Sequence, residues 1–175
     1  MEVNDLDLLV PRLGECRIPS PMSGVNFVVD DAHVLYHGNL KEVESYQEAG
    51  QKPPCFEMAG PRDKIYFDPT KLKCGIVTCG GLCPGLNDVI RAIVLSLFHH
   101  YKVRTVFGFQ YGFEGLSYRH GHVPIELNPK IVQNIHQQGG TILGSSRGPQ
   151  EVPEMVDAPE QMNVGMLFTI GGDGT

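Results

Sequence analysis

VGMLFTIGGDGT, residues 164–175, is the stretch around which this chain is organised. Its apolar run, residues 166–170, has the length and β-branched content of a buried strand. The run breaks into Gly171-Gly172-Asp173-Gly174-Thr175. Two glycines after a strand let the backbone turn sharply and approach a ligand closely. Asp173 can offer the hard oxygen that Mg²⁺ takes, usually alongside phosphate oxygens. The small residues Gly174 and Thr175 leave room for a nucleotide's phosphates. Read alone, the same letters also describe a strand and a tight turn, because Gly and Asp are common turn residues. What precedes the run decides between the two.

From Cys74 the pattern is regular. CGIVTC, residues 74–79, reads as a short buried strand, and GGLCPG, residues 80–85, as a glycine-rich turn. Leu86, Val89, Ile90, Ile93, Val94, Leu97 and Phe98 then recur at helical spacing and predict an amphipathic helix over residues 85–101. Residues 103–109 read as the next strand, and residues 123–127 as a minor one. Asn128 can cap a helix over residues 129–138, which Gly139-Gly140 ends. Residues 141–143 read as a short strand opening into Gly144-Ser145-Ser146-Arg147-Gly148. A helix is expected over residues 151–162, shortened or kinked by Pro159. Strands alternating with helices predict an α/β fold: an open, mostly parallel sheet with helices on both faces.

Residues 1–72 differ. Prolines recur and periodicity is weak, so this part reads as an irregular N-terminal extension with little core of its own. Candidate strands lie at residues 25–30, 33–36 and 64–67, and a short helix at residues 39–46. Residues 73–175 form the α/β domain.

The chain has 175 residues, 41% of them apolar and 19% charged, with a net charge of −6. That is ordinary for a globular protein and argues against nucleic acid as a partner, which needs a basic face. The start, MEVNDLDLLV, lacks the basic segment and long apolar run of a signal peptide, and no stretch is long enough to span a bilayer. The cytosol is therefore the expected compartment, with no membrane partner. Five cysteines in no C-x-x-C pairing argue for reduced, buried thiols rather than a disulfide framework or zinc site. None of the seven histidines has convincing ligand spacing, and surface or satisfied roles are expected for all.

Each strand-like run is followed by a small-residue loop: GGLCPG, QYGFEG, GSSRG and GGDGT. In a parallel sheet these loops share one edge, beyond the carboxyl ends of the strands, where open α/β folds bind ligands. The first loop leads into a helix N-terminus, where free N–H groups favour phosphate. Arg147 is the obvious cation, unless it is an ordinary surface arginine. Phe113 or Tyr111 could pack on a nucleobase or simply finish the core edge. The first loop is neither a Walker A sequence nor a Rossmann fingerprint.

VTCGGLCPGLN (residues 77–87), GTILGSSRG (residues 140–148) and GGDGT (residues 171–175), in this order and spacing, resemble the phosphofructokinase family. Ala59-Gly60-Pro61-Arg62 and the long extension are similar to its plant and trypanosomatid type. The resemblance implies a glycolytic, allosteric ATP-dependent 6-phosphofructokinase that is a homo-oligomer when complete. Its reaction moves the γ-phosphoryl of ATP to the 1-hydroxyl of fructose 6-phosphate, with Mg²⁺ as cofactor. By motif, Gly81 contacts the nucleotide phosphates, Arg147 and Gly148 line the ATP site, and Phe113 lies against the adenine. Gly172, Asp173, Gly174 and Thr175 wrap the phosphates, with Asp173 serving the metal. Gly174 falls where the pyrophosphate-using branch has aspartate, which implies ATP as donor.

The family's general-base and sugar-phosphate segments follow GGDGT, so no catalytic residue is assigned within residues 1–175. The expectation is an N-terminal fragment that supplies the ATP and Mg²⁺ side and is inactive alone. Alternatives are a non-catalytic nucleotide-binding fragment and an NAD or diacylglycerol kinase. The latter share GGDGT but lack the two preceding motifs.

Overall fold

The computed structural model describes Leu8, residues 10–172 and Thr175. Asp173 and Gly174, the expected metal ligand and donor-selecting residue, lie outside the described residues. The chain divides into two compact units, Met1–Phe67 and Asp68–Thr175.

The first unit pairs β1 (Ile18–Pro19) with β4 (Lys64–Ile65), and β2 (His33–Leu35) with β3 (Cys55–Glu57), both antiparallel. Between β2 and β3 runs α1 (Leu40–Glu48), whose N-cap Asn39 accepts from the Lys41 N–H. The helix buries none of its residues. Apart from Pro54 and Pro69, every buried apolar side chain among the described residues comes from residue 74 onward. Residues 25–30 form no strand. Val28 reaches a single carbonyl, that of Pro61, so no ladder develops.

The second unit is built on a four-stranded sheet of order β7-β6-β5-β8. Its strands are β5 (Lys73–Thr78), β6 (Thr105–Phe109), β7 (Ile125–Leu127) and β8 (Val164–Ile170). β5 is parallel to both β6 and β8, and β7 runs antiparallel at one edge. Alternation along β5 sends side chains to opposite faces. Cys74 and Ile76 join a core with Ile90, Val94, Leu97, Val103, Val106 and Leu127. Val77 and Cys79 join a second core with Phe109 and Leu116.

The first core is covered by α2 (Leu86–His99), which buries Leu86, Ile90, Val94 and Leu97 at spacings of three and four. Each such side chain contributes about 1.5–3 kcal/mol when fully removed from water. The second core is covered by a 3-10 turn, Gly112–Leu116, and by α3 (Val152–Gln161). Pro159 stands inside α3, close to its C-terminal end, so the helix is short, as its sequence requires.

Two expected elements are absent. Residues 129–138 begin as a helix, with Asn128 Oδ1 accepting from the Lys130 and Ile131 N–H groups. The run then tightens, Gln133 bonding to Lys130 and Gln137 to Asn134, and ends as the 3-10 turn Ile135–Gln137. Its carbonyls go to α2 instead, Gln133 O to Arg91 Nε and Gln138 O to Asn87 Nδ2. Residues 141–143 form no strand, because the Ile142 and Leu143 N–H groups are held by the side chains of Asn87 and Thr141.

Burial pushes the Cys74 thiol from its ordinary 9.0 up to about 11. The folded state therefore holds this proton where the unfolded chain releases it. The contribution is complete below pH 9 and is lost as pH rises through 11. Denaturant titrations across that window should show the protein losing stability about 1.4 kcal/mol per pH unit more steeply than Cys74→Ala.

Candidate functional site

β5, β6 and β8 are parallel, so their carboxyl ends and the loops leaving them meet at one edge. The loop after β8 is fixed to the end of β5 by the Cys79 N–H, which donates to Ile170 O at 2.8 Å. A Cβ on Gly171 would overlap Thr175 and stand 3.0 Å from Cys79 O, so only glycine fits there.

The fourth loop, residues 144–148, reaches the same edge without a strand to carry it. Four anchors hold it. Asn87, 2% exposed at the start of α2, donates from Nδ2 to Gln138 O at 3.0 Å and accepts the Ile142 N–H at 2.8 Å. Thr78, 1% exposed at the end of β5, donates from Oγ1 to Gly144 O at 2.7 Å. Ser145 Oγ donates to Gly80 O at 2.6 Å, and the Tyr111 N–H to Leu143 O at 2.7 Å.

Between these loops lies a cleft of about 360 Å³. Gly81, Phe113, Arg147, Gly148, Gly172 and Thr175 all line it, together with Cys79, Gly80 and Ser146. A second cleft of about 480 Å³ adjoins it and shares Gly80, Gly81, Ser146 and Arg147. A Cβ on Gly81, Gly148 or Gly172 would meet nothing within 4 Å, so the backbone at these positions borders open space. A ligand can thus approach the main chain with no side chain between. Gly80 and Gly148 also need φ of +76° and +113°, which other residues rarely adopt.

Arg147 is exposed and pairs with no carboxylate among the described residues. The described lining contains no acidic residue, so the cleft presents one positive charge, main-chain groups and two hydroxyls. Such a set suits an anion with several oxygens. Among the described residues no group of three or more His, Cys, Asp or Glu could hold a metal by itself. Phe113 is half-buried, packed from below by the second core and open to the cleft. Its N–H also reaches the Cys79 thiol. Burial raises the pKa of that thiol, and this contact draws it back in part.

Several expectations need correction. The N-terminal N–H groups of α2 line neither cleft; the residues there are Gly80, Gly81 and Leu82. The first turn of α2 carries Asp88, a poor neighbour for an anion. Tyr111 also lines neither cleft. It packs on Gly144 and against the His122 ring, centroids 4.6 Å apart. Of the cysteines, which are all free, Cys74 and Cys79 are buried but Cys83 is exposed and Cys16 and Cys55 half-buried. Sequence reasoning missed Thr78 and Asn87. The available signal was two polar residues inside the apolar frame of a strand end and a helix start.

A family model described as phosphofructokinase matches residues 73–175, which contain both clefts. The chain belongs to the phosphofructokinase family. An ATP-dependent 6-phosphofructokinase of Amycolatopsis methanolica is 46% identical over 96% of this chain and 38% of its own length. One of Trypanosoma brucei brucei is also 46% identical, over 99% of this chain and 37% of its own length. The chain thus spans less than two fifths of these relatives. A crystal structure of Pichia pastoris phosphofructokinase in the T-state superimposes with a TM-score of 0.53. It is 24% identical and covers 70% of this chain and 14% of that one, which shows a shared fold. Within that fold, the phosphofructokinase sheet edge described above is the part that the buried Asn87 and Thr78 assemble. No helix among the described residues is long and apolar enough to cross a membrane.

Asn87→Ala should leave the Ile142 N–H, which is half-buried, and the more exposed Gln138 O without their partner. A loss of about 1–3 kcal/mol in unfolding free energy is expected, the cost of about one unsatisfied group. Chemical denaturation monitored by circular dichroism measures it.

Proposed function

We propose that this chain forms the donor side of an ATP-dependent 6-phosphofructokinase. The reaction is transfer of the γ-phosphoryl of ATP to the 1-hydroxyl of fructose 6-phosphate, giving fructose 1,6-bisphosphate in glycolysis. The single observation that carries the reading is convergence. Gly81, Phe113, Arg147, Gly148, Gly172 and Thr175, drawn from four separate loops, surround one cleft. The named activity of the relatives gives that cleft its substrate.

The chain's own residues divide the work of binding. Gly81, Gly148 and Gly172 let main-chain groups reach the phosphates. Arg147 supplies a charge-assisted hydrogen bond, worth about 1.5–3 kcal/mol. Phe113 offers a ring to the base. The cleft fits a nucleotide carrying its own magnesium better than a bare metal, because hydroxyls and carbonyls are the oxygens its described lining offers. Asp173, adjacent to Gly172, would hold that ion. Bound there, Mg²⁺ neutralises charge that develops on the transferred phosphoryl. Positioning and electrostatics dominate such transfers, so holding the donor's phosphates in place is the chain's main contribution.

The proposed setting is a cytoplasmic homo-oligomer that binds neither membrane nor nucleic acid, in keeping with a net charge of −6. Kinases for NAD or diacylglycerol are not favoured, since the family match extends over all three motifs.

Two measurements test the reading. Arg147→Ala should weaken Mg-ATP binding about 10–100-fold in calorimetry, the loss expected of one charge-assisted bond; unchanged affinity would remove Arg147 from the site. Gly174→Asp should impair ATP use more than pyrophosphate use in a coupled assay, since a carboxylate there would occupy the space and repel the charge of the nucleotide's α-phosphate, which pyrophosphate lacks. A protein that already prefers pyrophosphate sinks the assignment of Gly174.

A further inference from the structure

Phe113 and Arg147 line the cleft from separate loops, which meet where Gly112 packs on Ser146, and a side chain outside the cleft ties together the segments that follow those loops. The segment following the Phe113 turn, residues 117–120, is bound to the stretch following Arg147. Ser117, 3% exposed, donates from Oγ to Glu154 Oε2 at 3.1 Å. Arg119 donates from Nη2 to the other oxygen, Glu154 Oε1. Two flanking contacts reinforce this pair: Tyr118 OH donates to Ala158 O at 3.3 Å, and His120 Nε2 meets Gln150 Oε1 at 3.2 Å. Met155, next to Glu154 on α3, packs into the same core as Phe113 and Leu116. The helix therefore supports the base of the Phe113 turn, and only the short segment 148–151 separates its N-terminal end from Arg147.

The geometry points to Glu154 as a positioning residue for the cleft: through Ser117 and Arg119 it helps set where the Phe113 turn stands relative to Arg147. It is not itself among the residues that line the cleft. Both carboxylate oxygens are engaged by donors from one segment, so the pair resists rotation as well as separation. A charged acceptor makes both bonds stronger than neutral ones. This inference rests on the reading of the cleft as a nucleotide site with Phe113 on the base side. Glu154 then governs recognition of the base far more than that of the phosphates. Small displacements of a positioned group carry large consequences for binding and rate.

The test compares two probes in the complete protein, Mg-ATP and inorganic tripolyphosphate. The first has a base and the second does not. Glu154→Ala should weaken Mg-ATP about fivefold and leave tripolyphosphate within about twofold, the signature of misplacement on the base side only. Glu154→Gln, which keeps an acceptor for Ser117, should recover part of the lost affinity. Arg119→Ala acts at an exposed side chain and severs one arm without entering the core, so it decides the matter should Glu154→Ala fail to fold. Equal weakening of both probes would show a general structural defect and overturn the inference. Unchanged Mg-ATP affinity in Arg119→Ala and Glu154→Ala overturns it as well. Wild-type protein that binds neither probe would overturn instead the nucleotide reading on which the inference stands.

Discussion

The site depends on one buried amide. Asn87 lies at the start of α2, fully enclosed, and its two ends face a carbonyl and an N–H from the segment that leads to Arg147. A buried amide left unpaired is costly, whereas a paired one fixes its partners in a single arrangement. Asn87 therefore does for residues 138–142 what a strand ladder would otherwise do. Thr78 completes the constraint at Gly144, 2.7 Å away, from the end of the central strand. Remove both and the fourth loop has only Ser145 and the Tyr111 N–H to hold it at the sheet edge.

The sheet behind this edge is drawn tight by missing side chains. A Cβ on Gly75 would stand 2.7 Å from the Phe109 ring, and one on Gly108 would overlap Leu143. Leu143, itself fully buried, is thus brought down onto β6, and the polar anchors beyond it operate over hydrogen-bond distance. The same logic holds Gly112 against Ser146, where a Cβ would lie 3.0 Å from the Ser146 nitrogen and φ is +60°. Close approach at three points converts separate loops into one wall.

Charge follows the opposite pattern from packing. The chain as a whole is acidic, yet the described lining of the main cleft holds a cation and no acid. A net charge of −6 acts over the whole surface and is screened by salt, while Arg147 acts at contact distance. Local donors decide which anion settles in the cleft. Glu154 is already occupied by Ser117 and Arg119 and stands outside the lining.

The sequence by itself determined the parts governed by short-range periodicity. α2 was legible because Leu86, Ile90, Val94 and Leu97 repeat at helical spacing, β5 and β8 because their apolar runs break into paired glycines, and β6 because its run gives way to a Gly- and aromatic-rich loop. The order of three glycine-rich motifs was enough to name the family. Residue spacing could not reveal where residues 128–143 go. Asn128 and the apolar Ile131, Val132 and Ile135 write a helix, but Arg91 and Asn87 draw away the carbonyls at Gln133 and Gln138. The partners lie 42 and 51 residues distant, outside any local window. For the same reason only the tertiary structure decided that Phe113 rather than Tyr111 faces the cleft. Both sit in one aromatic, glycine-rich loop, and the choice is made by Gly144, a residue from another loop that gives the Tyr111 ring a place to pack.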